Sequence, residues 1–236
     1  VRSRGLGDVY KRQPYMGVRY KHWVENLKWD WCISRQRYFG VPFPVWYCCD
    51  CDEVIPAIEE QLPVNPISDP PPKLTCPNCG GKKVKPERDV LDTWATSSLT
   101  PQINAKWGEK DDRTSTIFPM NLRPQAHDII RTWAFYTITK AYLHSSQIPW
   151  YDVLISGHAK DAGRRKISKS KGTRTRDPYE LVRTHSADVI RYWSASTKLG
   201  TDTTIDLDDP TEDFRGGKRL VTKLFNASRF AHTHII

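Results

Sequence analysis

A chain of 236 residues is long enough to bury a substantial core and to hold one or two domains. Lysine and arginine exceed aspartate and glutamate by 36 − 27 = +9, a balance that suits a polyanionic partner. No apolar run approaches the roughly 20 residues needed to span a bilayer, and the N-terminus lacks the apolar stretch of a secretion signal. The six cysteines therefore read as intracellular thiols or metal ligands, not as a secreted disulfide framework.

Residues 1–13 show no usable periodicity and are set aside as a leader foreign to the fold, of the kind an assembly scar leaves. Tyr20, Val24, Leu27 and Trp31, with Trp23 between them, follow the spacing of an amphipathic helix. Pro42 and Pro44 then force an extended segment from Val41 to Tyr47. Residues 48–86 change character: they are rich in cysteine and proline and poor in long apolar runs, as in a small inserted module.

That module carries Cys48-x-x-Cys51 and Cys76-x-x-Cys79, two knuckles with 24 residues between them. Each knuckle can place two thiolates on one ion, and two knuckles complete the tetrahedron of structural zinc. Four thiolates leave no open coordination position, so the metal is structural and not catalytic. Cys49 could replace Cys48, but Cys49-x-Cys51 is a poorer knuckle spacing. Cys32, among tryptophans, reads as a small packed hydrophobe.

Further along, Asp128 to His144 is predicted as a helix and Asp152 to Gly157 as a buried strand ending in a glycine turn. Arg165-Lys166-Ile167-Ser168-Lys169-Ser170-Lys171-Gly172 follows. Its lysines, hydroxyls and glycine can wrap a polyphosphate, although a solvated basic loop has the same composition. Asp177 and Pro178 open another helix as N-cap and first helical residue, and Ala187 to Ser196 continues helically. Residues 200–213 read as an acidic loop, and Phe214 to the end as one helix cut off mid-domain. A strand, a phosphate-type loop and then helices indicate an α/β architecture.

Lys-Ile-Ser-Lys-Ser at 166–170 resembles the Lys-Met-Ser-Lys-Ser signature of class I aminoacyl-tRNA synthetases, with Ile167 for methionine. Residues 29–42, Trp-Asp-Trp-Cys-Ile-Ser-Arg-Gln-Arg-Tyr-Phe-Gly-Val-Pro, are similar to a segment shared by the valyl, isoleucyl and leucyl members. Residues 89–99, 124–133 and 187–193 resemble the valyl type, and the knuckles resemble those of its archaeal-type members. The matches run in family order from about Tyr15 to Phe230.

The resemblance implies an ATP-dependent activation of valine to valyl-adenylate, followed by transfer to tRNA(Val). Lys166 and Lys169 would be the catalytic cations on the ATP phosphates, with Ser168 and Ser170 beside them. Asp128 would contact the ribose, Gly157 and His158 the adenine, and Trp94, Ile129 and Trp133 the valine side chain. Asp92 is given no role beyond bracing. ATP with Mg2+ and a structural Zn2+ held by Cys48, Cys51, Cys76 and Cys79 are the implied cofactors. The implied enzyme is a cytoplasmic monomer without a membrane segment.

The implied fold is the C-terminal half of a class I Rossmann-type catalytic domain, with an inserted zinc-ribbon module and the start of an α-helical bundle. Residues 14–44 would return from an editing insertion, 45–85 form the zinc ribbon, 86–209 the second half of the catalytic domain, and 210–236 open the anticodon-binding helices. The family's His-Ile-Gly-His signature has no counterpart among the seven histidines. The resemblance therefore implies an internal fragment that alone neither activates valine nor charges tRNA. Two other readings stay open: a fragment of an isoleucyl- or leucyl-type relative, and a non-catalytic zinc-ribbon module that binds RNA.

Overall fold

A computed structural model describes residues 14–109, 113–167 and 178–235. In chain order the elements are α1 (Pro14–Asn26), β1 (Ser34–Arg35), β2 (Val45–Cys48), β3 (Val54–Pro56), β4 (Val84–Pro86), β5 (Val90–Leu91), α2 (Thr93–Ser97), α3 (Thr100–Asn104) and α4 (Arg113–Ile117). Then come β6 (Met120–Ala126), a 3-10 turn at His127–Ile129, a π turn at Ile130–Ala134, α5 (Phe135–Ser145), β7 (Trp150–Ser156) and β8 (Ala159–Lys160). The last elements are α6 (Pro178–His185), α7 (Ala187–Ser196), β9 (Thr203–Thr204) and α8 (Thr211–His234). No described helix is long and apolar enough to cross a membrane.

The described chain divides into two compact units. One comprises residues 19–121 and 129–151. In it β2 is the centre of a three-stranded antiparallel sheet with β3 and β4 at its edges. The period-2 alternation of a strand turns Trp46 and Cys48 inward, while Val45 and Tyr47 take the other face. A small core of Ala105, Phe118 and Ala141 lies elsewhere in the unit. Trp31, which the helical spacing assigned to the first helix, lies beyond its end at Asn26. It stacks on Tyr136 with the ring centroids 3.7 Å apart. Its apolar character thus reports a tertiary contact and not helical periodicity.

The other unit holds residues 122–128 and 152–235, with the first turn of α1. Its core is Val189, Ile205 and Phe214, with Ile167, Leu181 and Trp193 packed against it. Gly217 lets α8 close on α7, because a Cβ there would sit 3.0 Å from the Val189 carbonyl oxygen. Thr203 and Thr204, read as acidic loop, form β9 alongside β8 in parallel register. The helix predicted from Asp128 is not regular at its start. The 3-10 and π turns occupy 127–134, and the α-helix proper begins at Phe135.

β6 and β7 pair and run in the same direction. The Met120 amide donates to the Pro149 carbonyl at their beginnings, and Ser156 Oγ donates to the Gln125 carbonyl near their ends. The polar residues that follow the two strands, 127–128 and 157–158, are therefore neighbours.

Phe214 is fully buried and meets the rings of His185 and Trp193. Phe214→Ala is expected to cost about 3–5 kcal/mol in chemical denaturation. Phe225→Ala, on an exposed part of α8, is expected to change stability by about 0.5 kcal/mol or less.

Candidate nucleotide site and cysteine cluster

The polar cluster beyond β6 and β7 begins with a close backbone approach. Gly157 follows the last residue of β7, and a Cβ there would overlap the Thr201 carbonyl group. Only glycine lets the 201–202 backbone pass so near. That passage delivers the Asp202 carboxylate beneath the start of β8. Asp202 Oδ1 accepts from the His158 amide at 2.9 Å and lies 2.9 Å from His127 Nε2, while Oδ2 accepts from Lys160 Nζ at 2.6 Å. These three groups, led by the Lys160 hydrogen bond, hold the Asp202 carboxyl well below the usual carboxylate range.

On the outer side of this knot, Asp128 Oδ2 lies 3.4 Å from His158 Nε2 and 3.5 Å from Lys166 Nζ. The His127 and His158 rings meet edge to face with centroids 4.7 Å apart. Lys166 forms a β-bridge to Lys160, so the root of the basic loop is tied to the strand that Asp202 grips. Asp161 closes the turn between them. It accepts from the Arg165 amide at 2.7 Å and from Arg165 Nε at 2.9 Å. A cavity of about 350 Å3 opens beside the cluster, lined among others by Gly157, His158, Trp193, Lys198, Thr201 and Thr203.

Of the nucleotide-site residues read from sequence, the structure brings together Asp128, Gly157, His158 and Lys166. Ser168, Lys169 and Ser170, and the Asp177 N-cap, lie outside the described residues. His127, Lys160 and Asp202 were missed. Asp202 was hidden in an acidic run, where the one usable signal was its setting between the β-branched residues Thr201, Thr203 and Thr204.

In the other unit, Asp92 Oδ1 caps α2 by accepting from the Trp94 amide at 2.7 Å, and Oδ2 pairs with Arg35 at 2.8 Å. Trp133 donates its indole N–H to the Ser97 carbonyl of the same short helix at 3.0 Å. Trp94 and Trp133 are thus both anchored on α2. Ile129 ends the 3-10 turn just before the π turn and stays partly exposed, so its relation to Trp133 is not the regular helical step that the spacing suggested.

The sulfurs of Cys48, Cys51, Cys76 and Cys79 all lie within 4.8 Å of one another. Cys48 and Cys79 are 3.6 Å apart, and Cys51 and Cys76 are 3.7 Å apart. A zinc tetrahedron with bonds of about 2.3 Å has edges of about 3.8 Å, so the spacing fits the ion. The amides of Asp50, Asn78 and Gly81 donate to Cys48, Cys76 and Cys79 at 3.4 Å each. Cys49 is exposed and outside the cluster, as is Cys32.

Cys76 and Cys79 differ in acidity. The Cys79 amide leads in lowering Cys76 to about 7. The Gly81 amide also lowers Cys79, but contacts with Cys51 and Cys48 and burial outweigh it and leave Cys79 at about 12. Four thiolates this close need a cation to neutralise them, and a divalent soft-tolerant ion supplies that charge.

The family profile described as "tRNA synthetases class I (I, L, M and V)" matches residues 10–206. The chain belongs to this family of class I tRNA synthetases. Valine–tRNA ligases are among its relatives. That of Haloarcula marismortui is 48% identical over 213 residues, covering 88% of this chain and 23% of the relative. Those of Rickettsia conorii and of a Wolbachia from Brugia malayi are 47% and 48% identical, over 93% and 91% of this chain and 27% and 25% of theirs. The chain thus spans about a quarter of the length of the curated relatives it matches. The solved Agrobacterium radiobacter K84 agnB2 LeuRS, in ternary complex with tRNA and LeuAMS, shares the fold. It superposes with a TM-score of 0.65 at 23% identity, over 89% of this chain and 30% of its own.

Asp161 supplies a pH test of the turn that leads into the basic loop. The Arg165 amide, then the Arg165 side chain, lower its carboxyl. A lowered folded-state value means that its stabilising contribution is present above the unfolded value of about 3.9 and is lost as pH falls through the folded value. Asp161→Asn is therefore expected to lower the melting temperature at pH 6–7, with the deficit shrinking below about pH 4. A deficit independent of pH would contradict this.

Proposed function

We propose that this chain is part of a valine–tRNA ligase and that Asp128, Gly157, His158 and the basic loop from Lys166 form its ATP side. The observation that carries the reading is the convergence of Asp128, His158 and Lys166 just beyond the ends of β6 and β7. In α/β sheets, ligands bind outside the carboxyl ends of the strands. Asp128 offers carboxylate oxygens to ribose hydroxyls. Gly157 and His158 border a cavity large enough for a nucleobase. Lys166 and Lys169, assisted by Ser168 and Ser170, would neutralise the phosphates as pyrophosphate departs, with Mg2+ accompanying ATP.

The chemistry asked of the protein is positioning and charge stabilisation. The valine carboxylate attacks the α-phosphate, the bond to the bridging oxygen breaks, and pyrophosphate leaves. The activated acyl group then passes to a ribose hydroxyl of tRNA(Val), releasing AMP. Trp94, Ile129 and Trp133 are assigned to the valine side chain, a role for which anchoring of both tryptophans on α2 gives rigidity. Relatives at 47–48% identity that are valine–tRNA ligases do not favour the isoleucyl- or leucyl-type reading, nor a purely RNA-binding module.

The architecture proposed with this function is the second half of a Rossmann-type catalytic domain over 86–209, entered through 14–44. A zinc ribbon spans 45–85, and the anticodon-binding helices open at 210. The working enzyme is a cytoplasmic monomer. Cys48, Cys51, Cys76 and Cys79 hold one structural Zn2+ that ties β2 to the 76–81 loop.

Two experiments test this reading. Substituted for the corresponding segment of a full-length valine–tRNA ligase, this sequence is expected to support valine-dependent ATP–pyrophosphate exchange, with Lys169→Ala about a hundredfold slower. Unchanged exchange in that variant would remove the role of the lysine, and exchange stimulated equally by isoleucine would remove the specificity. Elemental analysis of the purified chain is expected to find one zinc, retained in Cys49→Ser and lost in Cys76→Ser.

A further inference from the structure

The residues at the proposed nucleotide side share one partner, the Asp202 carboxylate. We propose that Asp202 is the positioning residue of this site, setting the ring state of His127, the backbone at His158 and the root of the basic loop together. This inference rests on the reading of residues 128, 157, 158 and 166 as the ATP side.

Four features of the geometry point there. First, Asp202 receives three donors of three kinds, and each belongs to a different part of the site. The His158 amide fixes the turn after Gly157, Lys160 fixes β8, and His127 Nε2 fixes the residue before Asp128. Second, the approach is forced. With a side chain at 157 the 201–202 backbone could not pass, and the carboxylate would not reach His158. Third, Lys160 bridges Lys166, so the grip on β8 extends to the first lysine of the basic loop. Fourth, a carboxylate accepts only, so the ring nitrogen of His127 that faces it carries the proton. The other nitrogen, Nδ1, is buried without a hydrogen-bond partner among the described residues. Asp202 therefore chooses the Nε2–H form of His127, and the edge of that ring against His158 transmits the choice to the neighbour of Asp128.

The charged and titratable groups around this knot are His127, Asp128, His158, Lys160, Lys166 and Asp202 itself. Among the described residues, two carboxylates and two lysines surround the two histidine rings. Removing the Asp202 carboxylate removes the acceptor that holds the proton on Nε2 and frees His127 to take the other tautomer. Asp202→Asn keeps the shape and can still accept one hydrogen bond through its oxygen. Asp202→Ala removes every contact.

The test uses the purified chain with Asp202→Asn, Asp202→Ala and Lys166→Ala, read by 15N shifts of the histidine rings and by titration with Mg-ATP. Melting curves first confirm that each variant is folded at the measuring temperature. In the unaltered chain His127 is expected as the Nε2–H tautomer. In Asp202→Ala the tautomers mix and ATP affinity falls about tenfold, the ratio that corresponds to about 1.4 kcal/mol. Asp202→Asn is expected to fall between the two. A merely structural role would lower melting temperature while leaving the His127 ring shifts of the folded protein unchanged, and that result overturns the inference. Weakened ATP binding in Lys166→Ala but not in Asp202→Ala also overturns it, while leaving the phosphate-site reading intact. If Lys166→Ala binds ATP as well as the unaltered chain, or no binding is seen at all, the phosphate-site reading fails. The ring shifts then decide the hold of Asp202 on His127 separately. Should Asp202→Ala not fold, Asp202→Asn alone decides both readouts.

Discussion

The contact on which the polar cluster beyond β6 and β7 depends is the passage of the Thr201–Asp202 backbone over Gly157. There is no volume for even a methyl group between them. Because the backbones are so close, β9 can lie in register with β8, and a carboxylate reaches an amide, a lysine and a histidine at once. Asp128 and Lys166 then find each other at the rim. Remove the glycine and each later step loses its geometry. This is a constraint of space first and of charge second, and the charge it organises is held ionised by its three donors.

The second unit relies on a different device. Its ribbon is a three-stranded sheet with a single row of large buried side chains, Trp46 and Ile55 among them. So small a sheet has little apolar area to bury, and the four clustered sulfurs of the two knuckles lie where a metal ion could cross-link it. The backbone amides of Asp50, Asn78 and Gly81 already point at the sulfurs, so the thiolates are oriented by the turns that carry them. The same unit ties Trp133, by its indole hydrogen bond, to the short helix that carries Trp94, which Arg35 and Asp92 secure at its start. Asp92, to which the sequence assigned no chemistry, is a helix cap and half of a largely buried ion pair.

Legibility followed the range of the interactions. The cysteine knuckles, the glycine after β7 and the basic loop are local patterns, and each could be read from neighbouring residues. The α7 helix was read at its observed bounds from a helical run. Residues 120–126 were not read as a strand, because Arg123, Pro124 and Gln125 break the apolar pattern of a buried strand. Asp202 was unreadable for another reason. Its partners His158 and His127 lie 44 and 75 residues away, and only the β-branched residues beside it separate it locally from the acids that follow. The start of the helix after Asp128 shows the limit of periodicity. The 3-10 and π turns at 127–134 depart from 3.6 residues per turn, and a 3.6-residue period cannot anticipate them.

The central claim is that a nucleotide sits beyond the ends of β6 and β7. The most direct measurement is a backbone amide shift map of this chain during titration with Mg-ATP. The account predicts saturable shifts concentrated at Asp128, Gly157, His158 and Lys166, with the ribbon residues around Cys48 and Cys76 unmoved. Shifts confined to the ribbon, or no saturable shift at residues 128 and 157–166, would contradict it.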